Sequence, residues 1–89
     1  MNEDQLAALF RETAWAHHAE FGDDEPADHD WAPWYAHYLA PRLERMLDRA
    51  LDVAALARDL HAVDAKQRND DSGLEWPEYY ARWFLHRLD

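Results

Sequence analysis

The sequence contains no cysteine, only two glycines and few β-branched residues. Without cysteine, the chain cannot form disulfide bonds, cysteine-ligated zinc sites or thiol nucleophiles. The β-branched residues are only Thr13, Val53 and Val63, and no segment alternates polar with apolar residues over any length, so a β-sheet is not expected. Gly22 and Gly73 each lie in a polar stretch and mark two loops. The chain is therefore predicted to be all-α.

Long apolar runs are also missing. No stretch approaches the roughly 18 apolar residues of a membrane span. The acidic start of the chain, Met-Asn-Glu-Asp, is not followed by the apolar segment of a secretory signal. We therefore expect no membrane partner and a cytoplasmic location.

Basic residues are scarce. The chain has 9 Lys and Arg but 19 Asp and Glu, which gives a net charge of −10. Most of the excess lies in residues 1–40, which contain nine acids and only one base, Arg11. An acidic surface repels phosphate backbones, so nucleic acid is not an expected partner. The charge either serves solubility alone or forms a patch that meets a basic protein partner.

The 89 residues fit one domain, residues 1–89. Apolar residues recur at helical spacing, and caps and prolines mark the helix starts. Over residues 42–67 we favour a break near Asp48–Leu51, with a continuous helix from Pro41 as the alternative. The other predicted helices run from about Glu3 to Phe21, from the N-cap Asp30 until Pro41 ends or kinks the helix, and from about Glu75.

The chain contains an internal repeat. Trp31–Leu39 aligns with Trp76–Phe84 at an offset of 45 residues, and Leu6–Glu12 aligns with Val53–Asp59 at an offset of 47. A two-helix unit cannot bury its own apolar stripe, so two copies should pack face to face. The alternative is chance similarity between alanine-rich helices. The repeat predicts a four-helix arrangement with approximate two-fold symmetry, built from residues of about 3–47 and about 50–89.

The aromatic residues of the second and fourth predicted helices fall on one face of each helix. At helical spacing, such stripes are more typical of core packing than of a ligand pocket. Each aromatic side chain removes roughly 150–250 Å² from water, which a small domain needs. The predicted structural core comprises Trp31, Trp34, Tyr35, Tyr38, Trp76, Tyr79, Tyr80 and Trp83.

The tandem pattern Asp-Trp-x-x-Trp-Tyr-Ala-x-Tyr-Leu, beginning at Asp30 and preceded by His17-His18 and an acidic loop, resembles a group of small bacterial helical proteins without assigned activity. The resemblance covers most of the chain. It implies an all-α fold and a bacterial source, and it carries no catalytic residues.

The densest polar cluster runs from His17 to Asp30. Its imidazoles and carboxylates suit Zn, Ni or Mn, but the cluster lacks His-x-x-x-His, Glu-x-x-His and EF-hand spacing. A solvated capping loop is the favoured interpretation, and no cofactor is expected. The candidate metal ligands are His17, His18, Asp28 and His29.

Two further sites concern the first helix. Trp15 projects away from the apolar face, near Ala8 and Ala19, and the matched position in the second half holds Ala62, so Trp15 is a candidate association contact. His17 is predicted to be buried and paired with Asp64, its matched residue, because a buried imidazole needs a hydrogen-bond partner.

The sequence does not specify a biochemical function. The leading interpretation is a non-catalytic interaction or regulatory domain whose partner is a protein, either a basic one or a second copy in a homodimer. The alternative is a metal-binding protein or a small enzyme that depends on His and a carboxylate.

Overall fold

The structure is a computed structural model that describes residues 2–22 and 30–88. Within these ranges the chain forms four helices and no strand, which confirms the all-α prediction. No helix in the described part of the chain has both the length and the apolar character needed to cross a bilayer. The helices are α1 (Glu3–Phe21), α2 (Trp31–Leu47), α3 (Val53–Arg68) and α4 (Trp76–Leu88).

Side chains next to three helices satisfy the first backbone N–H groups, which have no partner within the helix. At α1, Asn2 Oδ1 accepts from the Gln5 N–H at 2.8 Å, and Gln5 Oε1 accepts from the Asn2 N–H at 2.9 Å. At α2, Asp30 Oδ1 accepts from the Ala32 N–H at 3.2 Å, and Asp52 caps α3 in the same way. These caps explain why the predicted helix starts agree closely with the structure.

Helices α2 and α3 are separate, which confirms the predicted break near Asp48–Leu51, and the alternative of one continuous helix is wrong. The chain leaves α2 at Asp48, whose φ of 55° is left-handed. Glu44 Oε2 accepts from the Leu51 N–H at 2.9 Å, and Asp52 then starts α3. The left-handed residue and the new cap turn the chain so that α3 packs against α2.

Pro41 does not end α2, which continues to Leu47. Proline removes the N–H that would bond the carbonyl of His37. Both residues are exposed, so water can reach that carbonyl. Leu39 and Leu43, on either side of the proline, are 0% and 1% exposed. Burial of this stripe maintains the helix across the missing hydrogen bond.

The two halves of the chain pack mainly on each other. Helix α1 packs most extensively against α4 and α2 against α3, while the contacts within each half are fewer. Among the described residues, α1 does not contact α3 and α2 does not contact α4. A two-fold axis that exchanges α1 with α3 and α2 with α4 maps one major interface onto the other. The pairing therefore has the symmetry predicted from the repeat.

The core contains smaller side chains than predicted. Ala36 and Ala81 occupy matched positions and are both fully buried. Alanine lets facing helices approach so closely that an indole ring does not fit between them, and the large rings extend to the rim. Of the eight predicted core aromatics, only Tyr79 and Tyr80 are buried. Trp31, Tyr35, Trp76 and Trp83 are half-buried against the core, and Trp34 and Tyr38 are half-buried beside α1.

Candidate functional site

A polar contact ties α1 to α2 within the first half. The Tyr38 hydroxyl donates to Glu12 Oε2 at 2.8 Å, and Arg42 Nε lies 3.3 Å from the same oxygen. The Arg42 guanidinium also lies over the Tyr38 ring, 3.6 Å from its centroid. Burial and the hydrogen bond to Glu12 raise the pKa of Tyr38.

The second half repeats the arginine part of this contact at the matched positions, with Trp83 in place of Tyr38. Arg87 Nε lies 3.0 Å from Asp59 Oδ1, and its guanidinium lies over the Trp83 ring, 5.1 Å from the centroid. Asp59 and Arg87 match Glu12 and Arg42 at the offsets of the repeat. Because both halves keep this contact, we assign it to holding each helix pair together.

Matched aromatic residues of the two halves meet in an open cleft, here termed the axial cleft. Its volume is about 160 Å³ and its lining consists of Trp31, Tyr35, Asp64, Trp76 and Tyr80. The Trp31 and Tyr35 rings meet edge-to-face with centroids 5.2 Å apart, and those of Trp76 and Tyr80 do the same at 5.2 Å. Each half therefore contributes one Trp–Tyr pair to the cleft.

Asp64 is the carboxylate of the axial cleft. Its Oδ1 accepts from the Tyr80 hydroxyl at 3.1 Å, and its Oδ2 lies 2.9 Å from Arg68 Nη2. The Asp64 side chain is 23% exposed and that of Arg68 is 74% exposed. Burial, followed by the nearby Asp64 charge, raises the pKa of Tyr80. Asp64 is thus a partly buried carboxylate whose counter-ion is a solvent-exposed arginine.

The predicted contact between His17 and Asp64 is wrong, because the carboxylate of Asp64 is bonded to Tyr80 and Arg68 instead. His17 is half-buried rather than buried, and its ring centroid lies 5.0 Å from that of Trp34 and 5.4 Å from that of Tyr35. His17 lies beside Tyr35, and its matched residue Asp64 lies beside Tyr80. They do not meet because α1 and α3 do not contact each other.

A second surface surrounds Trp15, which is 72% exposed, as the prediction that it faces away from the core requires. Ala8 and Ala19 are exposed as well. Beside Trp15 lies an open groove of about 610 Å³ between α1 and the start of α4, here termed the Trp15 groove. Its lining residues are Arg11, Ala14, Trp15, His18, Glu75, Trp76 and Pro77.

The candidate metal ligands are not brought together where they can be described. His17 packs among aromatic rings, whereas His18 is exposed with its ring 6.4 Å from that of Trp15. Asp28 and His29 lie outside the described residues. Within residues 2–22 and 30–88, no group of three or more His, Asp or Glu side chains is placed to hold a metal ion.

The hydroxyl groups available for nucleophilic chemistry have structural roles. The buried Thr13 Oγ1 donates to the Leu9 carbonyl at 2.7 Å. Ser72 shares a cleft of about 300 Å³ with Asp70 and His86, but its Oγ accepts from the Leu74 N–H at 3.2 Å. Within residues 30–88, no hydrogen bond joins His86 to Ser72 or Asp70, so the connectivity of a nucleophile and its base is missing.

The chain matches no protein-family model, no curated protein and no solved structure. The geometry alone must therefore support a function. Sequence reasoning named Asp64 but missed its place in a cleft, and it treated the surrounding aromatics as core. The repeat offsets already placed Trp31 with Trp76 and Tyr35 with Tyr80, and this pairing was the available signal for a site on the axis.

Proposed function

We propose that this chain is a non-catalytic, cytoplasmic interaction domain that binds a basic segment of a partner protein in the Trp15 groove. The observation that carries the proposal is the exposure of Trp15, which reaches 72% although its ring is among the largest apolar groups of the chain. Tryptophan is enriched among the residues that dominate binding energy at interfaces. The groove beside it supplies a concave surface for apolar side chains of the partner.

Charge favours a basic partner over a second copy. At a net charge of −10, two copies repel each other. Within the Trp15 groove, Arg11 is already neutralised by an ion pair with Glu78. Glu75 takes part in no ion pair among the described residues, so it is available to a cationic side chain. The same charge disfavours nucleic acid as the partner.

Calorimetric titration with a synthetic amphipathic Lys/Leu peptide tests the proposal. We expect the wild type to bind and Trp15→Ala to lose about 2 kcal/mol, or roughly thirtyfold in affinity, as for an interface hot spot. Met46→Ala is the matched control, because Met46, at 39%, is the other exposed large apolar residue in the part of the chain that the structure describes. Trp15→Ala should change the free energy of unfolding by less than about 0.5 kcal/mol.

Three outcomes contradict the proposal. The first is equal binding by wild type and Trp15→Ala. The second is equal binding of a peptide in which every Lys is replaced by Glu. The third is a wild-type dimer in light scattering that Trp15→Ala converts to a monomer, which would assign the groove to a second copy.

A further inference from the structure

The axial cleft combines four aromatic rings with one carboxylate. The faces of Trp and Tyr rings attract cations, and Trp does so most strongly. Trp31, Tyr35, Trp76 and Tyr80 line the cleft, and Asp64 adds a formal negative charge. Their combination differs from an ordinary core contact because the rings border an open space rather than filling it.

The size of the cleft suits a small organic cation. Its volume is about 160 Å³. A protein cavity of about 150 Å³ accommodates benzene, and a trimethylammonium head has fewer heavy atoms than benzene. Larger planar ligands, such as nucleobases with their sugars, exceed this space.

The hydrogen bonding of Asp64 favours a methylated cation over a primary ammonium. Both carboxylate oxygens of Asp64 are already engaged, one by the Tyr80 hydroxyl and one by Arg68. A primary ammonium has three N–H groups that need acceptors when they leave water. A fully methylated nitrogen has none, so aromatic faces and a nearby negative charge are sufficient for it.

The surroundings of the cleft are acidic on both sides. Asp30 and Glu75 directly precede Trp31 and Trp76, at positions matched by the repeat. Asp30 Oδ1 lies 3.0 Å from His61 Nε2, and the His61 ring packs against Trp31 with centroids 5.5 Å apart. These contacts hold the first tryptophan of the cleft in place next to a carboxylate.

We propose that the axial cleft binds a methylated ammonium group, held by the four aromatic rings and by the charge of Asp64. This site is separate from the Trp15 groove, although Trp76 borders both, and it does not depend on the proposed function. Arg68 is the resident counter-ion of Asp64, and its side chain is 74% exposed, so water screens its positive charge while its contact with Asp64 Oδ2 is kept.

The test uses the full chain and two probes. Tetramethylammonium chloride is titrated against the protein while the indole N–H signals of Trp31 and Trp76 are followed by NMR. A peptide with trimethyllysine is then compared with the same peptide carrying unmodified lysine. We expect both indoles to shift, and we expect the trimethylated peptide or the free ion to bind at least tenfold more tightly than the unmodified peptide. Binding of the free ion alone assigns a small-molecule ligand, and tight binding of the trimethylated peptide assigns a modified side chain.

Matched variants identify the groups responsible. Trp31→Leu keeps apolar packing but removes the ring, and it should weaken binding about tenfold. Asp64→Asn should weaken binding severalfold while retaining an acceptor for the Tyr80 hydroxyl, and Arg68→Gln should strengthen it. Asp59→Asn is the control and should leave binding unchanged. Asp59 is 21% exposed, close to the 23% of Asp64, and is also paired with arginine, but it lies outside the cleft.

Several results would overturn the proposal. Equal binding of tert-butanol, a neutral group of similar shape, would show that the positive charge is not recognised. Equal losses in Asp59→Asn and Asp64→Asn would show attraction to the overall acidic surface instead of a site. Full binding by a folded Trp31→Leu protein would exclude the aromatic rings as the binding element.

Discussion

The two halves of the chain repeat some features and not others. Both begin their aromatic helix with an acidic residue and a tryptophan, Asp30-Trp31 and Glu75-Trp76. Both place an arginine over an aromatic ring and pair it with a carboxylate from the preceding helix. The arginine–carboxylate contacts join the two helices of each half, so both halves need them for the same reason.

The differences between the halves lie elsewhere. Trp15 has Ala62 at its matched position, and Asp64 has His17. Trp15 and Asp64 border the two surfaces proposed here for binding. The comparison teaches that the matched arginine–carboxylate contacts maintain the fold in both halves, whereas each proposed site also contains a residue that one half alone supplies. The matched Trp–Tyr pairs of the axial cleft serve both purposes. Substitutions at matched and unmatched positions can test this distinction.

The largest effects are expected at matched core positions. Phe84 and Leu39 are both 0% exposed, and Phe84 packs on Phe10 with centroids 5.5 Å apart. Phe84→Ala should cost about 3–5 kcal/mol and Leu39→Ala about 2–5 kcal/mol of unfolding free energy, because each leaves a cavity. Urea unfolding followed by circular dichroism measures both. A cost below about 1 kcal/mol at either position would contradict the equivalence of the two halves.

Intermediate effects are expected at the paired tryptophans. Removal of a fully buried tryptophan costs about 3–5 kcal/mol, but Trp31 and Trp76 are half-buried, so each Ala variant should lose about 2 kcal/mol. The same urea titration applies, with the exposed Trp15→Ala as control. If the free energies lost in Trp31→Ala and Trp76→Ala differ by more than about 2 kcal/mol, the two matched tryptophans do not stabilise the fold equally.

The burial of Tyr80, together with its contact with Asp64, should make the free energy of unfolding fall at alkaline pH. The pKa of Tyr80 is raised above its ordinary value of 10.0, so above that pH the unfolded chain loses the Tyr80 proton while the folded chain keeps it. Stability is therefore fully present below about pH 10 and falls above it, by at most about 1.4 kcal/mol per pH unit from this group. Tyr80→Phe should flatten the decline between pH 10 and 11 in urea titrations, and Asp64→Asn should flatten it in part. An unchanged slope in Tyr80→Phe would exclude this contact as its source.

The smallest effects are expected at the matched ion pairs. Glu12→Gln and Asp59→Asn should each cost about 0.5–1 kcal/mol, because both pairs are partly exposed and the partner arginines keep their aromatic contacts. Double-mutant cycles with Arg42→Gln and Arg87→Gln isolate the pairwise energies. A pairwise coupling energy in only one half would show that the repeated ion pair does not stabilise both halves.

Local signals accounted for the helices and their caps. Asn2, Asp30 and Asp52 each precede an apolar periodic segment, and their side chains accept from backbone groups only two or three residues away. Such short-range contacts can be inferred from the order of residues. Pro41 was harder to interpret, because whether a helix survives a proline depends on what its opposite face buries.

The arrangement of the repeat was also predictable, but the extent to which each aromatic side chain is buried was not. Periodicity placed Trp34, Tyr38 and Tyr80 on apolar faces without showing how near the next helix would lie. Tyr80 is 4% exposed, whereas Trp34 and Tyr38 reach the rim and donate to Glu20 and Glu12. Burial of this kind is set by interhelical distance, which sequence periodicity does not contain.

The sequence by itself determined the helical class, the helix starts and the correspondence between the halves, because helical periodicity, capping and repetition are properties of residue order. The tertiary structure decided that α1 pairs with α4 instead of α3, and this choice separated His17 from Asp64. It also decided that matched Trp–Tyr pairs border a cleft beside Asp64. The physical reason is that a two-fold axis brings together residues that neither half places near each other alone.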